Sequence, residues 1–185
     1  MRNKRQWIGS SYEGPRYDLV FKTLCATLRP SKIIEFGILE GYSLNCFLEN
    51  TSESCLIEAY DLFDDFPHNA ADYNKIKSKF KNKNVFIEKR DFYKSAKLVE
   101  DNSVDIIHID IGNDGGTYEF AVDNYIPKLT PQGVLILEGG SPERDGYWWM
   151  DEFNKKKIVP YLNTIKDSFS VTVFEEFPSL TIIRP

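Results

Sequence analysis

Apolar residues fall in short unbroken runs, separated by helical stripes, almost from one end of the chain to the other. The runs are "KIIEFG" (32–37), "CLIEAYD" (55–61), "NVFIEKRD" (84–91), "VDIIHID" (104–110) and "GVLILEG" (133–139). Each is rich in β-branched or aromatic residues and bounded by turn formers, which predicts strands covered on both faces. The clearest stripe joins Tyr118, Ala121, Val122, Tyr125, Ile126 and Leu129. It predicts a helix over 117–129, with Thr117 as N-cap and with Pro131 and Gly133 ending it. An earlier helix is expected over 18–28, stopped by Pro30, and another follows "DLFDDFPHNAADY" and ends near Phe80. The C-terminal "SFSVTVFEEFPSLTIIRP" breaks the alternation. It holds two strand-like runs joined by a short turn at Pro178, and short connections suit antiparallel neighbours. The pattern therefore predicts a doubly wound α/β fold with a mostly parallel seven-stranded sheet and a C-terminal antiparallel hairpin.

A chain of 185 residues without repeats or a composition shift reads as one domain, 1–185, with residues 1–17 as an N-terminal arm. A net charge of -5 gives no general attraction for nucleic acid or an anionic membrane. No apolar run is long enough to span a bilayer. "MRNKRQWIGSSYEG" is basic but lacks the apolar core of a secretion signal. Cys25, Cys46 and Cys55 are odd in number and lack metal-type spacing, so buried, reduced thiols in a cytoplasmic protein are expected. The lysines of "KIKSKFKNKN" scatter around their helix and read as a solvated face.

Chemistry enters at the strand ends. All five parallel runs close on an acid: Glu35, Asp61, Asp91, Asp110 and Glu138. In open α/β sheets ligands sit beyond the carboxyl ends of the strands, at the switch point. After the first run come Gly37 and Gly41, with Ser43 opening the next helix. These glycines are either plain turn residues or the backbone of a loop that approaches a ligand. Asp61 stands about 20 residues beyond Gly41, where nucleoside-binding folds place a ribose carboxylate. No Gly-x-Gly-x-x-Gly pattern cradles a pyrophosphate, and an acidic rim repels phosphate. A cationic nucleoside suits it better, and S-adenosylmethionine has that chemistry.

"IIEFGILEGYS" resembles motif I of class I S-adenosylmethionine-dependent methyltransferases. It is most similar to the Glu-x-Gly-x-x-x-Gly-Tyr-Ser variant of the catechol-type and caffeoyl-CoA-type small-molecule O-methyltransferases. The resemblance runs from about Asp18 to the end and implies a Rossmann-like methyltransferase fold. It places Glu35, Gly37, Gly41 and Ser43 on the cofactor's methionine side, Asp61 on the ribose, Asp91 near the adenine amine and Phe63 on the adenine face. The chain departs from that family in the reaction half. Asp110 stands where expected, but Asn113 replaces a lysine and Glu138-Gly139 replaces Asp-Asn. The family's magnesium site is therefore not carried over intact, and a divalent metal is possible but not expected. Asp110, Glu138 and Asn113 are the candidates for the reaction itself.

Other readings stand beside these. Asp91 serves equally well as a helix cap, and Asn113 and Asp114 as turn formers. His108 sits within a strand on the side of Asp110 and reads as a core histidine, and His68 as a surface one. Tyr147, Trp148 and Trp149 wall a substrate pocket, pack a helix or form a dimer contact. The function expected is methyl transfer from S-adenosylmethionine to a small acceptor, at a hydroxyl. A cofactor-binding module without chemistry, acting as partner or regulator, is the alternative. A nicotinamide oxidoreductase is disfavoured by the missing glycine pattern. The chain has little length for a substrate cap, which leaves a small acceptor or a pocket completed by a second copy in a homo-oligomer.

Overall fold

The computed structural model describes residues 10–65 and 71–185. His68 and the first part of the N-terminal arm lie outside the described residues. Seven strands form one sheet: β1 (Lys32–Phe36), β2 (Leu56–Asp61), β3 (Val85–Lys89), β4 (Val104–Ile109), β5 (Leu129–Glu138), β6 (Ser170–Phe174) and β7 (Leu180–Arg184). Their order is β3-β2-β1-β4-β5-β7-β6. The first five are parallel, and β7 pairs antiparallel with both β5 and β6. The strand order turns back between β1 and β4, so the carboxyl ends of these two flank the switch point.

Helices cover both faces, and the strands are apolar on both sides for that reason. One face packs Ile33, Ile57, Ile106 and Ile136 against Tyr12, Phe21, Leu44, Phe47 and Phe80. Those partners come from the arm, from α1 (Asp18–Leu28) and α2 (Tyr42–Asn50), and from the end of α3 (Tyr73–Lys79). The other packs Ile34, Phe36, Ile107, Ile109, Leu135 and Leu137 against Tyr118, Tyr125, Ile158 and Leu162. Here the partners lie in α5 (Gly115–Tyr125) and α8 (Ile158–Ile165). Three short helices complete the order: α4 (Phe92–Ser95), α6 (Pro142–Asp145) and α7 (Trp148–Glu152).

Two local boundaries differ from the sequence pattern. The cap of α5 is Asp114, whose carboxylate accepts the Thr117 amide at 2.9 Å, and the helix begins at Gly115. Its α-helical part stops at Tyr125, because Pro127 tightens the next turn and β5 already begins at Leu129. The three cysteines are free and buried. Burial pushes Cys46 up to about 11 and Cys25 up to about 12, which makes both inert as nucleophiles.

Candidate active site

The loop after β1 is built from left-handed residues. Gly37, Leu39 and Gly41 have φ of 89°, 48° and 75°. The two glycines are needed for contacts within the protein. A Cβ on Gly37 would lie 1.8 Å from the Asp110 carbonyl oxygen, and one on Gly41 would lie 2.7 Å from the Phe80 ring. Gly37 thus lets the ends of β1 and β4 close against each other, and Gly41 seats the ring that ends α3. Lysines missed as site residues hold the same loop. Lys75 reaches the Glu40 carboxylate at 3.0 Å and Lys79 donates to the Glu40 carbonyl at 2.6 Å.

Asp61 ends β2 and faces this loop. One oxygen accepts the Ile38 amide at 2.7 Å, and the other accepts the Phe63 amide at 2.8 Å. The carboxylate therefore ties the glycine loop to the turn after β2. Phe63 does not lie open at the rim. It is fully buried, edge-on to Tyr73 at 5.0 Å, because an apolar ring closes onto the core beside it.

Glu35 is fully buried on β1, beside His108 on β4. Ser43, in the first turn of α2, donates its hydroxyl to Glu35 Oε1, and His108 Nδ1 lies 3.0 Å from the same oxygen. Glu35 Oε2 has no hydrogen-bond partner among the described residues. The other face of His108 meets Tyr12, whose hydroxyl lies 3.3 Å from Nε2. Phe21 and Phe47 pack edge-on against the imidazole. His108 is a core residue, but one wired into a polar line rather than isolated.

Asp110 follows β4, in the electrostatic reach of Tyr12, Glu138 and Arg144. Burial raises its carboxyl above the ordinary range, against the opposing pull of His108 and Arg144. Asn113 is fully buried, and its amide donates to the carbonyls of Ile109 at 2.8 Å and Glu138 at 2.9 Å. Its donor amide clamps the ends of β4 and β5 together.

Glu138 is held in a similar way. It is buried at the end of β5, and Arg144 of α6 grips it with two bonds: Nε to Oε1 at 2.5 Å and Nη2 to Oε2 at 2.9 Å. The guanidinium also donates to the Asn113 carbonyl at 3.1 Å and lies over the Trp149 ring at 4.2 Å. Burial pushes the Glu138 carboxyl up to about 7, with Arg144 drawing it back and Asp110 adding to the rise. Glu138 in turn holds the Arg144 charge more firmly. The neighbouring Asp145 accepts the amides of Ile158 and Val159, each at 2.8 Å, and fixes α6 to the start of α8. Of the aromatic trio, Trp149 covers Arg144, and Tyr147 packs on Phe177 at 4.9 Å.

The structure thus brings four of the five strand-end acids into one region: Glu35, Asp110 and Glu138 all act electrostatically on Tyr12, and Asp61 acts on Asp110. Asp91 stands apart as the cap of α4, accepting the Tyr93 amide at 2.9 Å. The donor set does not fit a magnesium ion. Arg144 fills the place a cation would take at Glu138, Gly139 offers no side-chain oxygen, and Asn113 is enclosed. The set does fit a cationic nucleoside. A buried carboxylate oxygen stands open at Glu35, and Asp61 lies at the neighbouring strand end.

A family described as a methyltransferase domain matches residues 34–138. A methyltransferase of Podospora anserina, solved with S-adenosylhomocysteine, superposes with a TM-score of 0.68 at 16% identity, covering 90% of this chain and 76% of that one. An O-methyltransferase of Bacillus cereus in complex with S-adenosylhomocysteine gives a TM-score of 0.66 at 14% identity, covering 96% and 84%. The uncharacterized protein y4gI of Sinorhizobium fredii is 25% identical over 154 residues, 76% of this chain. The chain spans only 16% of that relative's length.

Proposed function

The chain belongs to the methyltransferase-domain family that matches it over residues 34–138, and on that premise we propose that it transfers a methyl group from S-adenosylmethionine to a hydroxyl of a small molecule. The observation that carries this reading is the pairing at the switch point. Glu35 offers a buried, unpartnered oxygen, and Asp61 is tied to the loop between them. An ammonium suits the first, and the two hydroxyls of a ribose suit the second. When bound, S-adenosylmethionine supplies an electrophilic methyl group on a sulfonium.

The protein's part is binding, alignment and proton management. The glycine loop, fixed by Asp61, Lys75 and Lys79, presents a preset backbone. Holding an acceptor oxygen near the methyl carbon can contribute about 7–11 kcal/mol of the rate enhancement. Asp110 is the base for the acceptor hydroxyl. It is partly open to solvent, and burial has raised its affinity for a proton. Glu138, Arg144 and Asn113 hold the acceptor-side wall in shape. A neutral acceptor suits a wall whose buried cation, Arg144, is already paired.

The test is titration calorimetry with S-adenosylmethionine, S-adenosylhomocysteine and NAD, followed by detection of S-adenosylhomocysteine release over a panel of phenols, sugars and amines. Binding of the first two compounds and not NAD, with turnover on a hydroxyl compound, is expected. NAD binding, or turnover on amines alone, would overturn the reading.

A further inference from the structure

Arg144 holds a buried donor that nothing meets. Its side chain is 2% exposed, and Nη1 has no hydrogen-bond partner among the described residues. The other corners of the guanidinium are taken. Nε donates to Glu138 Oε1 at 2.5 Å, and Nη2 donates to Glu138 Oε2 at 2.9 Å and to the Asn113 carbonyl at 3.1 Å. The fork is planar and rigid, so a carboxylate held by Nε and Nη2 puts Nη1 on the edge turned away from Glu138. A buried donor left unmet is costly, which marks it as a place for an arriving acceptor atom. The donor stands at the carboxyl end of the sheet. Ile109 and Leu137 are level in the β4–β5 ladder, so Asp110 and Glu138 are the next residues out on the two strands. Arg144 is clamped across that end, to Glu138 on one strand and to Asn113 in the loop that Asp110 opens. The Trp149 ring lies against the guanidinium at 4.2 Å and is half-buried, so it runs from the cation toward solvent.

We infer that Arg144 Nη1 is a specificity-determining donor, and that it takes a neutral carbonyl oxygen carried by the same molecule as the methylated hydroxyl. Charge argues against a carboxylate. Glu138 already balances the guanidinium, and a second anion would have to share that one buried cation with it. Hydrogen counting argues against a further hydroxyl. A hydroxyl brings a hydrogen of its own, while both Glu138 oxygens and the Asn113 carbonyl already accept from Arg144. A carbonyl oxygen offers lone pairs and has no hydrogen to place. The substrate class is then a hydroxyl compound that also carries a ketone, aldehyde, ester or amide group. This names the acceptor of the reaction proposed above and rests on that reading.

The probes are hydroxy-ketones and their isopropyl isosteres: hydroxyacetone against isobutanol, and ortho-, meta- and para-hydroxyacetophenone against the matching isopropylphenols. Glycolate and the matching hydroxybenzoates supply the charged comparison. Affinities are measured by ligand-detected NMR on the full chain, with and without S-adenosylhomocysteine. At least one ketone is expected to bind at least about tenfold more tightly than its isopropyl partner, the step a charge-assisted hydrogen bond gives. The same ketone should also outbind its carboxylate counterpart. Arg144→Met combined with Glu138→Leu removes the donor and its counter-charge together, and should abolish the ketone preference whatever it does to affinity as a whole. A crystal of the wild type with the preferred ketone should place the carbonyl oxygen within hydrogen-bond distance of Nη1. The inference is overturned if no ketone outbinds its partner, if the carboxylate binds best, if the preference survives in the double variant, or if the crystal shows only water on Nη1. Absence of any response to S-adenosylhomocysteine counts against methyl transfer instead. The ketone preference is read without it as well, so the two readings fail separately.

Discussion

Glu35 and Glu138 are both carboxylates buried at the carboxyl ends of central strands, and the fold treats them in opposite ways. Glu35 is met by neutral donors and an imidazole, and it keeps one oxygen without a partner among the described residues. Glu138 has both oxygens taken by a guanidinium, and the unpartnered atom is on the other side of the pair, at Arg144 Nη1. An open buried acceptor is costly unless something cationic or hydrogen-bonding fills it. Glu138 carries no such demand, because both its oxygens are taken, and what the pair leaves open is a donor, Arg144 Nη1. The first is the signature of a binding position and the second of a wall. Four strand-end acids in one region therefore do not make one polar cleft. They divide into a β1–β2 side that accepts neutral donors and a β4–β5 side where Arg144 takes Glu138 and Asp110 is the proposed base.

The strongest way to break this contrast is to remove Arg144. Arg144→Met leaves Glu138 buried without its partner, and loss of one member of such a pair costs about 3–5 kcal/mol. Urea denaturation should show that loss. Replacing both groups, in Arg144→Met with Glu138→Leu, should recover most of it, because the desolvation of both charges disappears together. A single variant as stable as the wild type would mean that the pair is not a closed unit, and the comparison with Glu35 would fail.

The same pair should leave a mark on the pH dependence. The Glu138 carboxyl is raised from its ordinary 4.5 to about 7 in the folded protein. The folded state then binds its proton more tightly than the unfolded state does. The stability gained from that proton is full below about 4.5 and is lost as pH rises through about 7. Unfolding free energy measured from pH 4.5 to 8 should carry this downward component in the wild type, and Glu138→Gln should lack it. Matching slopes in the two proteins would show that Arg144 keeps the carboxylate ionised throughout.

Much of the fold was legible because strand and helix periods are local properties. The parallel runs, the helix over Asp18–Leu28 and the final hairpin all follow from apolar spacing and connection length. That Asp61 meets the loop of Gly37 and Gly41 was legible for a similar reason, since the three lie within one β-α-β unit. The contacts of Glu138 and Asn113 were not. Glu138 looked free because nothing in "PERD" marks Arg144 as its partner; only the turn into α6 brings the two together. Asn113 looked available because an amide in a turn and an amide clamping two strands read alike in sequence. Tyr12 was invisible as a site residue, as its contact with His108 joins the arm to the fourth strand.

On the open side, the sharpest probe is Asp61. A charge-assisted hydrogen bond to a ligand is worth about 1.5–3 kcal/mol, so Asp61→Ala should weaken S-adenosylhomocysteine binding by that much. The variant should also unfold more easily, since the Ile38 and Phe63 amides lose their acceptor. Asp61→Asn separates the two effects, because its single carbonyl oxygen retains one of those amides. Calorimetric affinity unchanged in both variants would remove Asp61 from the ligand.

Asp91 should give the smallest effect, and it tests where the open side ends. Its carboxylate caps α4 by accepting the Tyr93 amide, and Lys94 sits 3.2 Å from its other oxygen. Asp91→Ala should cost about 0.5–2 kcal/mol of stability through the lost cap. Asp91→Ser keeps a capping oxygen and removes the charge, so it should restore most of that loss. If Asp91 is a cap alone, S-adenosylhomocysteine affinity should stay within about twofold in the serine variant, well under the roughly tenfold that 1.4 kcal/mol represents. A loss of tenfold or more in that stable variant would bring Asp91 back to the adenine. The accepting region would then run from β1 across β2 to the edge strand β3, instead of stopping at the neighbour of the switch point.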